Sequence, residues 1–407
     1  MKYVIIGGSV AACACAARLK QLDPVSDVTM ISAEERPYAK MALPYLLSGE
    51  MTEDVLWMDR PGDIDFRAGT RVTAVSPGGK VVETDNGPPV AYDKLLIAAG
   101  AHAVLPDFEG STLPAVACLR NLSDVADIQG QLAGFSDGAV LLSGAGLVSI
   151  EAGDALWKRG FSPTFLISSR KVLSMILDDE GSALLESIMR EKGVAIHFGE
   201  TIASAASGPD GITVTTQSGA EYNGRSLIVG KGTHPNIDFL SQSGIATDWG
   251  VLVNEFLETN TADIFAAGDV CQGDDIVWGD KRVNALWPAA VEQGRHAAYN
   301  MTRAPRPYRG SIARNIVTAF GVTVFTAGLS NCDERGKDIV KRSTDNSYVK
   351  IVLENNVLKG AVFINVAVDP GVYVAAIEEQ RDVTGLENVM VSGALSPAHF
   401  RPFLRNG

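Results

Sequence analysis

Cysteine is scarce in these 407 residues, and the five present, Cys13, Cys15, Cys118, Cys271 and Cys332, are scattered. No pair has the spacing of a metal-ligand set or a disulfide framework, which fits a reducing compartment. Positive charge is short as well, with a formal net charge of −13. That argues against nucleic acid or an anionic membrane surface as a partner, because attraction to phosphate needs clustered cations. Long apolar runs are missing too: nothing approaches the roughly 18 uninterrupted residues of a membrane span. The run Lys2-Tyr3-Val4-Ile5-Ile6 is already strand-like, which leaves no room for a signal peptide. The expectation is a cytoplasmic protein with no membrane span. Glycine is plentiful by contrast, and its 41 residues without a collagen-like period imply many tight turns. The length suits two or three domains.

Two segments share one layout. In the first, an apolar strand at 3–6 meets the turn Gly7-Gly8-Ser9-Val10-Ala11-Ala12. A helical stretch follows through Leu19, then a strand at 28–32 and Glu34-Glu35. In the second, a strand at 139–142 meets Gly144-Ala145-Gly146-Leu147-Val148-Ser149. A helical stretch follows through Trp157, then a strand at 164–167. Each is a strand–turn–helix–strand unit of about 30 residues, the unit that binds dinucleotides. The first glycine of such a turn permits the sharp bend. The second lets backbone N–H groups approach a pyrophosphate, and the third small residue lets helix and strand pack closely. The phosphates then meet the positive end of the helix. In the first turn Ser9 and Ala12 replace the second and third glycines; Ser9 is tolerable if its φ is negative. Two such units imply two nucleotide-binding domains. Beyond about residue 306 the pattern changes: strands at 348–353 and 357–364 around Glu354-Asn355-Asn356 read as a hairpin, followed by a helix from 374 to about 381.

Four more segments follow in order: Tyr92-Asp93-Lys94-Leu95-Leu96-Ile97-Ala98-Ala99-Gly100, Ile228-Val229-Gly230-Lys231-Gly232-Thr233-His234-Pro235-Asn236, Ile264-Phe265-Ala266-Ala267-Gly268-Asp269, and Leu286-Trp287-Pro288-Ala289-Ala290-Val291-Glu292-Gln293-Gly294. The ordered set resembles the FAD-dependent pyridine nucleotide-disulfide oxidoreductase family. The nearest branch is the single-flavin one of NADH oxidases, coenzyme A-disulfide reductases, rubredoxin reductases and the flavoprotein part of nitrite reductases. The resemblance implies an α/β fold with two nested Rossmann-like domains and a C-terminal α+β interface domain. The FAD domain is expected at 1–110 plus 235–306, the NAD(P)H domain at 111–234, and the dimer-forming domain at 307–407, making a homodimer.

It also implies roles. Gly7, Ser9, Val10, Ala11 and Ala12 form the FAD pyrophosphate turn. Glu34, or its neighbour Glu35, accepts from the adenosine ribose, and Val72 holds adenine through its backbone. Ala99 and Gly100 stand in a motif that usually has a threonine at the middle position. Asp269 binds the ribityl chain, and Trp287, Pro288 and Ala289 open a helix aimed at the flavin. Lys40 contacts FAD, and Tyr45 lines the side where the flavin is reoxidised. Gly144, Gly146, Leu147, Val148 and Gly232 hold the nicotinamide nucleotide. Glu151 either orients the nicotinamide carboxamide or only caps or pairs on its own helix. His102, His234 and His296 read as structural.

Disulfide-using members carry a reactive cysteine in a segment that here reads Met41-Ala42-Leu43-Pro44-Tyr45. Methionine sulfur cannot form a thiolate or a disulfide. Cys13 and Cys15 sit two apart on a helix and point to different faces, so buried packing is their reading, and packing is also the reading for Cys271. What remains is hydride transfer from NAD(P)H to flavin N5, then release of electrons to a rubredoxin- or ferredoxin-like carrier or a small acceptor. A peroxide-forming oxidase and a non-enzymatic flavin-bound sensor or assembly subunit are the alternatives. At the end of the strand at 164–167, an NAD-specific unit places a carboxylate. Here the chain reads Ser168-Ser169-Arg170-Lys171, which suits a 2′-phosphate; the other reading is an ordinary polar turn. NADPH is expected to be preferred over NADH.

Overall fold

A computed structural model describes residues 1–208, 211–302, 304–332, 334 and 337–400. The chain divides into two compact units. One holds Met1–Leu46, Met51–Val104 and Thr233–Ser311; the other holds Leu47–Glu50, Leu105–Gly232 and the chain from Ile312 on.

The first unit is built on a five-stranded parallel sheet. Its order is Ile264–Ala266, Lys94–Ile97, Lys2–Ile6, Asp27–Ile31, Asp65–Arg67. The central strands are continuously apolar (Tyr3, Val4, Ile5; Leu95, Leu96, Ile97) because they are covered on both faces. The helix Val10–Leu22 buries Ala11, Ala12, Cys13, Cys15, Ala16 and Leu19. Its small residues let the helix Trp287–Met301 come very close. A Cβ on Gly294 would stand 2.3 Å from the carbonyl oxygen of Ala11. Gly268, at φ +78, is held between the same helices, with a virtual Cβ 3.1 Å from that of Ala11 and 3.8 Å from that of Ala290. An antiparallel sheet of Val72–Ser76, Val81–Thr84 and Val90–Ala91 is added to this unit.

The second unit repeats the parallel pattern. Its order is Ala195–Phe198, Ser162–Ile167, Ala139–Ser143, Leu227–Val229, Val116–Ala117. An antiparallel sheet of Arg314–Ala319, Val322–Gly328, Val357–Ile364, Tyr348–Glu354 and Asp338–Ser343 belongs to the same unit. The expected hairpin is there, its two loop residues Asn355 and Asn356 both at positive φ, as a two-residue turn of the primed type requires. The following helix is Pro370–Glu378, earlier than its apolar spacing suggested, because Asp369 caps it by accepting from the Gly371 N–H at 3.1 Å.

Two contacts fasten this sheet to the second parallel one. The Asp154 carboxylate, on the helix Leu147–Lys158, accepts from the Phe320 N–H at 2.7 Å. Around it, the Phe320 ring meets Trp157 and Phe165 edge-on. Lys350 is fully buried, 2.8 Å from Glu334 and 3.2 Å from Asp178. Asp178 in turn caps the helix Asp179–Glu191 and accepts from the Tyr348 hydroxyl at 2.7 Å. Among the described residues no helix is long and apolar enough to cross a membrane.

The close crossing at Gly294 generates a stability prediction. Gly294→Ala gains roughly 1 kcal/mol of helix propensity. The clash with Ala11 outweighs it, and urea unfolding should show a net loss of about 1–3 kcal/mol. A neutral or stabilising result would show that the two helices can separate freely.

Candidate dinucleotide sites

Each glycine turn is forced by a neighbouring backbone. Gly7 has φ +118, and a Cβ there would lie 2.1 Å from the Ala98 carbonyl oxygen. Gly144 has φ +101, and its Cβ would lie 2.5 Å from the Gly230 carbonyl oxygen. Only glycine occupies such positions without strain. Ser9 has φ −103, within ordinary range for a serine, and its hydroxyl caps nothing. Gly146, the N-cap of its helix, faces open space on its side-chain side. Ser149 is buried under Gly230, where an added Cβ would come 2.0 Å from the Ser149 hydroxyl, so the serine packs as the third small residue.

Helix ends distinguish these sites from the rest of the chain. Among the described helices of nine or more residues, three satisfy their own first turn with a carboxylate. Asp124 accepts from the Arg120 and Asn121 N–H groups in front of Leu122–Gln131, Asp178 caps Asp179–Glu191, and Asp369 caps Pro370–Glu378. The other three, Val10–Leu22, Leu147–Lys158 and Trp287–Met301, have no side-chain cap and no acid in the first turn. Their N–H groups and positive poles are left for water or an anion. A glycine cradle ahead of an uncapped helix fits the pyrophosphate of a dinucleotide, and this chain has two. The third uncapped helix begins at Trp287, slightly earlier than expected, with Pro288 in its first turn and Ala289 buried.

Around the first turn, long-range contacts set the geometry. The Ser32 hydroxyl, against which a Cβ on Gly8 would clash at 2.3 Å, accepts from the Glu34 N–H at 3.0 Å and shapes the acidic turn. Glu34 accepts from Lys40 at 2.9 Å and from the Tyr38 hydroxyl at 3.1 Å, so Lys40 is engaged with Glu34. Glu35 is exposed, and Val72 is buried at the start of its strand. Asn236 ties down the 98–100 turn: its side chain donates to the Ala99 carbonyl at 2.8 Å and its backbone N–H to that of Gly100 at 2.9 Å. Gly100 has φ +67. Gln293, buried on the Trp287–Met301 helix, accepts from the Gly268 N–H at 2.8 Å and so fixes the turn that presents Asp269. Tyr45 is 38% exposed on Leu43–Ser48, and Met41 is 59% exposed one turn earlier.

The three histidines, read from sequence as structural, each have partners within the fold. His102 pairs with the Asn236 amide oxygen at 2.7 Å and packs against His234, which meets Trp249 edge-on. His296 bonds the Glu292 carbonyl. The roles are structural.

In the second unit, Ser168 and Arg170 are exposed after the strand Ser162–Ile167 and Ser169 is half-buried, its hydroxyl donating to the Lys171 carbonyl at 3.0 Å. This segment folds back on the glycine turn, because the Leu173 N–H donates to the Ala145 carbonyl at 2.9 Å. Leu147 is half-buried, and Val148 and Gly232 are exposed. Glu151 is half-buried and makes no hydrogen bond or ion pair with any described residue, whereas Asp154, less than one turn on, pairs with Lys158 at 3.0 Å. Burial pushes the Glu151 carboxyl up to about 7, and the Asp154 charge adds to the rise. Pairing on this helix is made by Asp154 with Lys158, and the helix has no side-chain cap. Burial also pushes the Cys13 and Cys271 thiols up to about 12, and those of Cys15 and Cys118 upward. None of these four is a ready thiolate.

Residues 1–294 match the family described as pyridine nucleotide-disulphide oxidoreductase. The chain belongs to that family. It is an oxidoreductase of the FAD-dependent, NAD(P)H-using class. The epsilon subunit of NADH-dependent phenylglyoxylate dehydrogenase from Aromatoleum evansii is 28% identical over 409 residues, covering 97% of this chain and 96% of that protein. An NAD-dependent persulfide reductase from A. fulgidus superposes with TM-score 0.88 at 24% identity, over 95% of this chain and 79% of that one. The reductase in a covalent putidaredoxin reductase–putidaredoxin complex superposes with TM-score 0.86 at 21% identity, over 97% and 99%. The last two likenesses show the fold.

Glu151 yields a signed prediction for this oxidoreductase. A carboxyl whose pKa rises from 4.5 unfolded to about 7 folded contributes stability at low pH that is lost as pH climbs through 7. Glu151→Gln should therefore raise Tm at pH 8 and leave it nearly unchanged at pH 5. A pH-independent difference would mean that the carboxyl titrates normally.

Proposed function

We propose that the chain carries electrons from NAD(P)H through FAD to a protein redox partner, without a protein disulfide. The observation that carries this reading is the pair of glycine cradles, each forced by a neighbouring carbonyl and each leading into an uncapped helix. When bound, the flavin supplies two-electron acceptance from a reduced pyridine nucleotide and onward release of electrons. The protein's part is to bind, orient and tune. Gly7, Ser9, Val10, Ala11 and Ala12 take the FAD pyrophosphate, Glu34 the ribose and Asp269 the ribityl chain. The uncapped helix at Trp287 would stabilise negative charge on a flavin bound at its N-terminus. Gly144, Gly146, Leu147 and Val148 take the second pyrophosphate, and Glu151, unpaired and close to neutral pH in its titration, orients the carboxamide.

Several features support the absence of a disulfide. Met41 stands where disulfide-using members carry cysteine, and four of the five thiols are held protonated by burial. A protein acceptor is supported by the full-length relative, which is named as a subunit of a dehydrogenase, and by the superposition on a reductase caught with its carrier. That relative is named NADH-dependent; in this chain Ser168, Ser169 and Arg170 offer no carboxylate to a ribose 2′-hydroxyl, and NADPH is the favoured donor. We further propose three functional domains, at 1–110 with 235–306, 111–234 and 307–407, the last forming a homodimer in the cytoplasm.

Anaerobic mixing with NADPH should bleach the flavin, with higher kcat/KM than for NADH, and Arg170→Ala should hurt NADPH more. Reoxidation should be faster with a ferredoxin or rubredoxin than with oxygen. A high peroxide yield in air would favour an oxidase, and no bleaching with either nucleotide would reduce the chain to a flavin-bound sensor or subunit.

A further inference from the structure

Lys231 follows the strand Leu227–Val229, and Ser168 follows the strand Ser162–Ile167; both strands flank Ala139–Ser143 in the parallel sheet. The Lys231 side chain reaches across the carboxyl end of that central strand and places its Nζ 3.4 Å from the Ser168 hydroxyl. The central strand ends in the Gly144–Gly146 turn, so the ammonium lies on the face where a dinucleotide's adenosine half is held. The residue just beyond the second strand of such a unit reads the 2′ position of the adenosine ribose. Whatever touches the Ser168 side chain is therefore placed at that position.

Lys231 is half-buried, yet no carboxylate of the described residues pairs with it. Other lysines of this unit differ in this respect: Lys171 is matched by Asp179 at 2.9 Å and Lys158 by Asp154 at 3.0 Å. Arg170 is exposed and likewise without an ion pair among the described residues. Burial lowers the Lys231 pKa, as expected for an ammonium that has lost water and gained no counter-charge. A cation kept in this condition beside the Ser168 hydroxyl, with an exposed arginine two residues further along the chain, is suited to an incoming dianion.

We propose that Lys231 determines nucleotide specificity: its ammonium, with the Ser168 hydroxyl and the Arg170 guanidinium, takes the 2′-phosphate of an adenine nucleotide. The proposal rests on the NADPH reading above and adds the residue from the far side of the sheet that closes the phosphate site.

Isothermal titration of the FAD-loaded protein with adenosine 2′,5′-bisphosphate and with 5′-AMP tests it, alongside the ratio of kcat/KM for NADPH over NADH. The wild type should prefer the bisphosphate, and Lys231→Gln should cut that preference about tenfold or more, the usual weight of a charged hydrogen bond. Lys231→Arg should keep most of it, and Ser168→Ala should reduce it by a smaller factor. If Lys231→Gln weakens both probes equally, the ammonium serves the shared part of the nucleotide and the proposal falls. If only Arg170→Gln lowers the preference, the proposal falls while the NADPH reading stands. A wild type indifferent to the 2′-phosphate overturns both.

Discussion

Two strand-to-helix turns among the described residues run against neighbouring backbone with no space for a side-chain carbon between them. At Gly7 the obstacle is the Ala98 carbonyl, and at Gly144 it is the Gly230 carbonyl. Positive φ at both glycines turns the chain directly from strand into helix. The helix axis is then set so that its first N–H groups emerge at the carboxyl end of a parallel sheet. Everything assigned to the two nucleotide sites inherits its position from these contacts. A bulkier residue at either point would have to push back a backbone carbonyl whose own residue is tied to the sheet through its N–H, Ala98 to Ile6 and Gly230 to Ser143.

Electrostatics then separates these helices from the others. Where a helix serves only the fold, an aspartate at or near its start satisfies the orphan N–H groups: Asp124, Asp178 and Asp369. Where a helix follows a glycine turn, or opens at Trp287, that acid is absent. The omission costs stability in the empty protein, since a cap contributes about 1 kcal/mol, and leaves a positive pole for a ligand with negative charge. The same logic applies to Glu151, which leaves pairing with Lys158 to Asp154 and stays unengaged on its helix.

The local parts of this design were legible in the sequence. Glycine, serine and alanine at fixed offsets between an apolar run and a helical stretch carry their own geometry, and Asn355-Asn356 announced its hairpin for the same reason. The supports were not legible, because they join residues far apart in the chain. Gln293 to Gly268 spans 25 positions, Lys231 to Ser168 spans 63, and Asn236 to Ala99 spans 137. A glutamine in a helix or an asparagine after a proline has no distinguishing neighbours until the fold brings its acceptor within reach. The partner of His102, Asn236, was hidden for the same reason, because it lies just past a strand pair. The Glu34–Lys40 pair is nearer in sequence, but it depends on how the chain winds between them, which side-chain type alone does not reveal.

Gly153 faces the Phe165 ring so closely that a methyl group there would stand 2.6 Å from the ring edge, with Phe320 3.5 Å away. These three positions come from a helix, a parallel strand and a hairpin turn of the C-terminal sheet, and they share one fixed volume. Substitution histories at 153, 165 and 320 should therefore be correlated: a lineage that acquires bulk at 153 has to shed it from an aromatic neighbour.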